Sequence, residues 1–161
     1  MVGMSPVAIA SNHKPDEVKP QGCTYLKLRQ LTRCVARMYD EEMARVGLKG
    51  TQYSLLSHAV KLGPLRAVDL AAQMDLSTST LSRNLQPLLA AGWLGVGPGA
   101  DARSRLIEAT DAGRAKRAEA QRRWKVAQER VNQLLGTASV QRLHAELDSA
   151  QRMLSATAGA D

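Results

Sequence analysis

Residues 65–111 read LRAVDLAAQMDLSTSTLSRNLQPLLAAGWLGVGPGADARSRLIEATD, and the rest of the chain is organised around them. Val68, Leu70, Ala71 and Met74 fit a short helix, and Asp75-Leu76 a tight connection. Ser77 is a natural N-cap, its hydroxyl free to accept from the amide of Ser79 or Thr80. Behind it Leu81, Leu85, Leu88 and Leu89 recur at i, i+4, i+7 and i+8, the stripe of a helix laid on a core. Ala90-Ala91-Gly92 ends that helix. Two short strand-like runs follow, Trp93 to Val96 and Arg105 to Ala109, around a Gly-rich, basic tip. Short helix, turn, amphipathic helix and hairpin is the order of a winged helix-turn-helix.

The leucine stripe turns Ser79, Arg83 and Gln86 away from the core, flanked by Thr78, Thr80 and Ser82. Short hydroxyl side chains let a backbone approach a DNA major groove closely, and a helix N-terminus attracts phosphate. Arg83 can grip a guanine or a phosphate with two parallel bonds. In the hairpin, Arg103 and Arg105 suit a narrow minor groove, where negative potential concentrates. Asp101 would repel phosphate and serves better by holding an arginine in place. Pro87 removes the amide that would bond the carbonyl of Arg83, and either bends the helix beyond its reading residues or softens its end.

Outward from this motif the pattern is helical. Thr24 to about Val46 carries Leu28, Leu31, Val35, Met38 and Met43 at helical spacing, and Gly47 closes it. A second helix starts from Thr51 as N-cap and runs to Leu62, before the break at Gly63-Pro64. Thr110 or Asp111 caps a long segment reaching Leu135, basic over its first half, and Val140, Leu143, Leu147 and Leu154 mark a final helix. Residues 1–22 hold three of the six prolines and no sustained period, which suggests a mobile N-terminal arm.

Composition agrees with a mainly α fold. Phe is absent and aromatics reach 3%, so Leu, Ala, Val and Met must build the core. The longest nearly apolar run, Leu88 to Val96, contains Gly92 and Gly95 and is about half the length a bilayer demands. No signal-like leader is evident, so a cytoplasmic location without membrane association is expected, and Cys23 and Cys34 are expected as reduced thiols, Cys34 packed beside the apolar stripe. Lys and Arg number 22 against 15 Asp and Glu, a balance of +7 that makes polyanions the first partners to consider. His13, His58 and His144 lie too far apart for a zinc site. No nucleophile–base pair, phosphate loop or paired-carboxylate pattern argues for an enzyme, and no cofactor is implied.

Together these features resemble the MarR family, the multiple-antibiotic-resistance type of bacterial transcriptional regulators. The matching residues are Gly47-Leu48, Thr51-Gln52-Tyr53, Leu70-Ala71, Leu76 through Arg83, Leu88, Gly92-Trp93-Leu94, Asp101 through Arg105, and Thr110-Asp111-Ala112-Gly113. The resemblance covers about residues 24–155. It implies a mainly α homodimer in which residues 23–50 and 111–161 form an intertwined helical dimerisation region. Residues 51–110 would be the winged helix-turn-helix with a two-stranded β wing. It implies sequence-specific binding of double-stranded DNA at a pseudo-palindromic operator, as a repressor released by a small aromatic or phenolic ligand. Thr78, Ser79, Thr80, Ser82, Arg83, Gln86, Asp101, Arg103 and Arg105 are the expected DNA contacts, Asp101 and Arg103 pairing with each other. Tyr25, Arg29, Tyr39 and His58 are the expected ligand contacts near the junction of the first two helices. Two other readings compete: an architectural protein coating DNA without sequence preference or effector, and a thiol-based redox sensor using Cys23.

Overall fold

The computed structural model describes residues 21–99 and 105–158. The chain order is α1 (Thr24–Ala44), α2 (Gly50–Leu62), β1 (Leu65–Arg66), α3 (Ala67–Gln73), α4 (Thr78–Ala90), β2 (Leu94–Pro98), β3 (Arg105–Ala109), α5 (Asp111–Leu135) and α6 (Thr137–Ala158). The expected two-stranded wing forms as β2 and β3, and a short β1 adds a third strand to the sheet. It has three antiparallel strands in the order β1-β3-β2, with Leu65 opposite Ile107 and Val96 opposite Ile107 from the other side. β1 is two residues long, too short to display the alternation by which strands are recognised.

One core joins the motif to its supports. Met43 of α1, Leu55 and Leu56 of α2, Leu70 of α3 and Leu81 and Leu88 of α4 are its largest fully buried side chains. Each contributes about 1.5–3 kcal/mol by leaving water. α1 packs on α5 through polar bonds as well. The Tyr39 hydroxyl donates to Gln128 Oε1 at 2.6 Å, and Arg130 and Arg123 reach Glu41 and Glu42 at 2.9 and 3.7 Å.

Two local expectations are corrected. α2 begins at Gly50 with Lys49 as N-cap, ahead of Thr51, because partners outside the local hydroxyl take the free amides. Asp40 Oδ1 accepts from the Gly50 N–H at 2.7 Å, and Gln52 Oε1 accepts from the Lys49 N–H at 2.8 Å. Cys34 is exposed rather than packed, since the face of α1 that meets α5 passes through Leu31, Val35 and Met38 and leaves position 34 to one side. Cys23 is exposed at the N-cap position of α1. Pro87 lies inside α4, which continues past it to Ala90.

The joint between sheet and α5 explains the Thr-x-x-Gly pattern physically. Thr110 Oγ1 accepts from the Gly113 N–H at 3.0 Å and donates to the Gly92 carbonyl at 2.7 Å. Gly92 itself has φ +70° and ends α4, letting the Trp93 N–H reach the Leu88 carbonyl at 3.0 Å. At Gly113 a Cβ would stand 1.9 Å from the Trp93 carbonyl oxygen, a backbone atom with nowhere to go. Gly113→Ala is therefore expected to cost about 1–3 kcal/mol or more by overpacking, and Thr110→Ala about 1 kcal/mol by loss of the cap. Urea unfolding of both variants checks this, and an unchanged midpoint for Gly113→Ala contradicts the joint.

Candidate functional site

α4 presents two opposite faces. Leu81, Leu85 and Leu88 are 0%, 6% and 0% exposed, whereas Thr78, Ser79, Ser82, Arg83 and Gln86 are exposed and Thr80 is half-buried. The Ser77 cap forms as the sequence suggests, its Oγ accepting from the Thr80 N–H at 3.2 Å. That oxygen also donates to Thr80 Oγ1 at 2.9 Å and lies 3.1 Å from Ser79 Oγ. The hydroxyls at the start of α4 thus form one connected cluster around the free amides of the first turn. Arg83 is exposed, and its Nε donates to the Ser79 carbonyl in a long contact of 3.4 Å.

The turn preceding α4 carries a mild strain. Asp75 has φ +51°, a conformation that an Asp tolerates better than most side chains. In the wing, Arg105 opens β3, exposed and opposite Pro98. Asp101 and Arg103 lie outside the described residues. Arg66, which sequence reasoning did not single out, stands at the junction of β1 and α3 and grips Asp69 with two bonds of 2.7 and 2.8 Å. That clamp holds the Asp69 carboxyl below its usual range, through the Arg66 hydrogen bonds first. A two-residue strand after Gly63-Pro64 gave no periodic signal by which Arg66 could have been noticed.

A second feature is a cleft of about 770 Å³ walled by α1, α2, α5 and the end of α3. Its size suits a small organic ligand. Tyr39 and Trp124 meet at one side, ring centroids 6.3 Å apart and tilted by 42°. Burial raises the Tyr39 phenol above its ordinary value. His58 Nδ1 lies 2.8 Å from the Ser54 carbonyl, which can only accept, so Nδ1 carries the proton and Nε2 is left for another partner. Lys61 and Arg117 also line the cleft, and neither forms an ion pair among the described residues. Arg117 donates to Gln121 Oε1 at 2.7 Å, while its Nε and the Ser57 hydroxyl are buried without partners.

Of the four expected ligand contacts, Tyr39 and His58 line this cleft. Tyr25 and Arg29 do not. They sit exposed on the first turns of α1, bonded to each other at 2.9 Å with the guanidinium 5.4 Å from the ring centroid. Sequence reasoning missed the α5 contribution, Arg117, Gln121 and Trp124, although their i, i+4, i+7 spacing marks one helix face. It also missed Tyr53, Ser57 and Lys61, which stand four residues apart on the face of α2 away from Leu55, Leu56 and Ala59.

No family model matches the sequence. Among solved structures, the chain is similar to M. tuberculosis transcriptional regulator MosR in complex with DNA. The two are 32% identical over 83% of this chain and 98% of that one, with a TM-score of 0.70. A MarR-family transcriptional regulator from Rhodococcus sp. RHA1 shares 24% identity over 78% of this chain and 90% of its own, with a TM-score of 0.70. Transcriptional repressor CouR bound to a 23-mer DNA duplex shares 22% identity over 80% and 92% of the two chains, with a TM-score of 0.74. The latter two, below 25% identity, speak to fold alone. The HTH-type transcriptional regulator YwoH of Bacillus subtilis is 25% identical over 84 residues, and the match spans 52% of this chain and 61% of that protein.

Proposed function

The chain belongs to the MarR family of transcriptional regulators, a family of regulators rather than enzymes, and we propose that it is a homodimeric, ligand-released repressor. Residues 51–110 form its winged helix-turn-helix in this reading, residues 23–50 and 111–161 its dimerisation region, and residues 1–22 an arm. The observation that carries the proposal is the two-faced α4. Three leucines lock one side into the core, so the hydroxyls and Arg83 are obliged to face outward beside a three-stranded sheet. Such a helix fits a major groove, with its amides and hydroxyls on phosphates and Arg83 on a base edge. Arg103 and Arg105 would follow into the adjacent minor groove, with Asp101 steadying Arg103.

The homodimer is supported by what the protomer leaves uncovered. Among its described side chains α6 buries Val140 alone, and Leu147, Met153 and Leu154 are 40%, 62% and 71% exposed. Tyr25, Leu26 and Leu28 on α1 and Leu134 and Leu135 on α5 are exposed apolar side chains as well. A patch of this extent asks for a protein partner, and a second copy of the chain would present two reading helices to one duplex. No described helix is long and apolar enough to cross a membrane, so the patch is not a spanning segment.

The effector is assigned to the cleft. Tyr39, Tyr53 and Trp124 supply aromatic walls, and Lys61, Arg117 and His58 supply positive or donating groups without a carboxylate bonded to them. That combination suits an aromatic acid or a phenol. Gln73 of α3 lines the same space, which ties the ligand to the helix preceding the turn.

Arg83→Ala is expected to remove most discrimination between operator and random DNA, about 1–3 kcal/mol per base pair read, with folding unchanged. Footprinting on the DNA upstream of its own gene, with and without the substitution, checks this. A discrete two-fold site is expected, and uniform coating by the unaltered protein overturns the repressor reading. Aromatic acids should raise the melting temperature and weaken operator binding together. Trp124→Ala combined with Arg117→Gln should abolish both effects, and persistence of either in that variant removes the cleft from the mechanism.

A further inference from the structure

The reading motif is sparing with positive charge. Residues 51–110 carry five Lys and Arg side chains, Lys61, Arg66, Arg83, Arg103 and Arg105. Lys61 lines the cleft, Arg83 belongs to the outward face of α4, and Arg103 and Arg105 belong to the wing. Arg66 is the fifth, and neither the cleft nor the reading face uses it. Half to two-thirds of the hydrogen bonds between proteins and DNA go to phosphate and sugar, so a cation beside the reading surface has a ready role. Arg66 also lies outside the segments assigned to the dimer, residues 23–50 and 111–161.

Its place is the seam between the wing and the helix-turn-helix. Arg66 pairs across the sheet with Leu106, the second residue of β3, and α3 begins directly after it at Ala67. Adjacent strands lie about 4.8 Å apart, so the Arg66 backbone is one strand spacing from the point where the hairpin leaves the sheet. α3 then leads through the Asp75 turn into α4. A wing in a minor groove and α4 in the neighbouring major groove straddle the phosphate strand that separates the two grooves. In that docking the connecting residues 65–77 lie over the strand, and Arg66 is their one basic side chain.

The side chain is held in place there. Nε and Nη2 donate to Asp69 at 2.7 and 2.8 Å, a fork in which the carboxylate takes one edge of the guanidinium. The two side chains are 58% and 46% exposed, and an ion pair so open to water adds little to stability. What the fork does supply is a fixed guanidinium plane, which loses less rotamer freedom on meeting a phosphate than a loose side chain would. The Arg66 hydrogen bonds hold the Asp69 carboxyl below its usual range, so it is ionised throughout the neutral range.

We propose that Arg66 is a phosphate contact, a sequence-independent hold on the DNA strand between the groove read by α4 and the groove entered by the wing. The inference rests on DNA reading by α4 and adds to it a contact that sets register and carries no sequence information. Arg66 thereby differs from Arg83. Loss of Arg83 alters discrimination between sequences, whereas loss of Arg66 weakens binding to all of them. A dimer makes the contact twice, once per protomer, and each contact neutralises one phosphate.

The test uses the full chain and two duplexes of equal length, one from the region upstream of its own gene and one of random sequence, titrated across a range of salt. Arg66→Gln should weaken binding to both by the same factor, about ten-fold at low salt, and flatten the log–log salt slope by about two, one for each protomer. Arg66→Lys, which keeps the charge, should retain the wild-type slope. The urea midpoint of both variants should stay where it is, because the pair is exposed. Four results overturn the proposal: a glutamine variant with the wild-type slope, a loss confined to the upstream duplex, a lysine variant that shares the flattened slope, or a glutamine variant whose urea midpoint collapses. A wild-type protein that binds neither duplex overturns the reading by α4 as well, so the two failures are told apart.

Discussion

Burial of Leu81, Leu85 and Leu88 fixes the rotation of α4 about its axis, and every statement about recognition depends on that rotation. A helix has no other means of deciding which residues face a ligand. At about 1.5–3 kcal/mol for each buried leucine, turning α4 by half a turn would forfeit several kcal/mol before any polar group was considered. The hydroxyl face therefore needs no attraction to DNA in order to be outward. It is outward because the leucines are inside, and Ser77, whose hydroxyl accepts from the Thr80 N–H, anchors the first turn in the same orientation.

α5 carries this orientation to the rest of the molecule. Its first turn is welded to the sheet by Thr110 and by the close approach of Gly113 to the Trp93 carbonyl. One face then supplies Ala120, Ala127 and Val131 to the interior, a second supplies Arg117, Gln121 and Trp124 to the cleft, and Gln128 and Arg130 bond α1. Small residues on the buried face let α1 approach closely, while long polar ones flank it. α5 is thus coupled to the sheet at its start and to α1 along its far half, with the cleft wall between the two.

How much of this was legible in the sequence follows from how local each cause is. The α4 stripe, the Ser77 and Thr110 caps and the extent of α5 are set by neighbours within one or two turns, and the sequence displays them directly. The start of α2 was not, because Asp40 caps the Gly50 amide from ten residues away and displaces the local candidate Thr51. β1 was invisible for want of length. The cleft was half legible: Tyr39 and His58 were found near the junction of the first two helices, but Arg117, Gln121 and Trp124 arrive from α5, and only the packing of α1 on α5 brings them there. Cys34 was misjudged because a thiol one position from a stripe can fall on either side of it.

The proposed release by a ligand places a demand on the cleft that aromatic burial alone does not meet. Covering one ring of about 150–250 Å² contributes roughly 4–6 kcal/mol before ordering costs, enough for binding. Binding equally well to two arrangements of the dimer shifts nothing, however tight it is. Moving the balance from 99:1 to its inverse takes about 5.5 kcal/mol of difference between the two states. The groups able to supply a difference are those whose separation changes when the reading motif moves against its supports. Tyr39 and Trp124 both belong to the supports, α1 and α5, so their contact with a ligand stays much the same. Lys61, His58 and Gln73 belong to α2 and α3, and Arg117 to α5, so a ligand bridging them senses the angle between the two halves. In this reading aromatic walls set affinity, and the polar groups drawn from opposite sides of the cleft set the response.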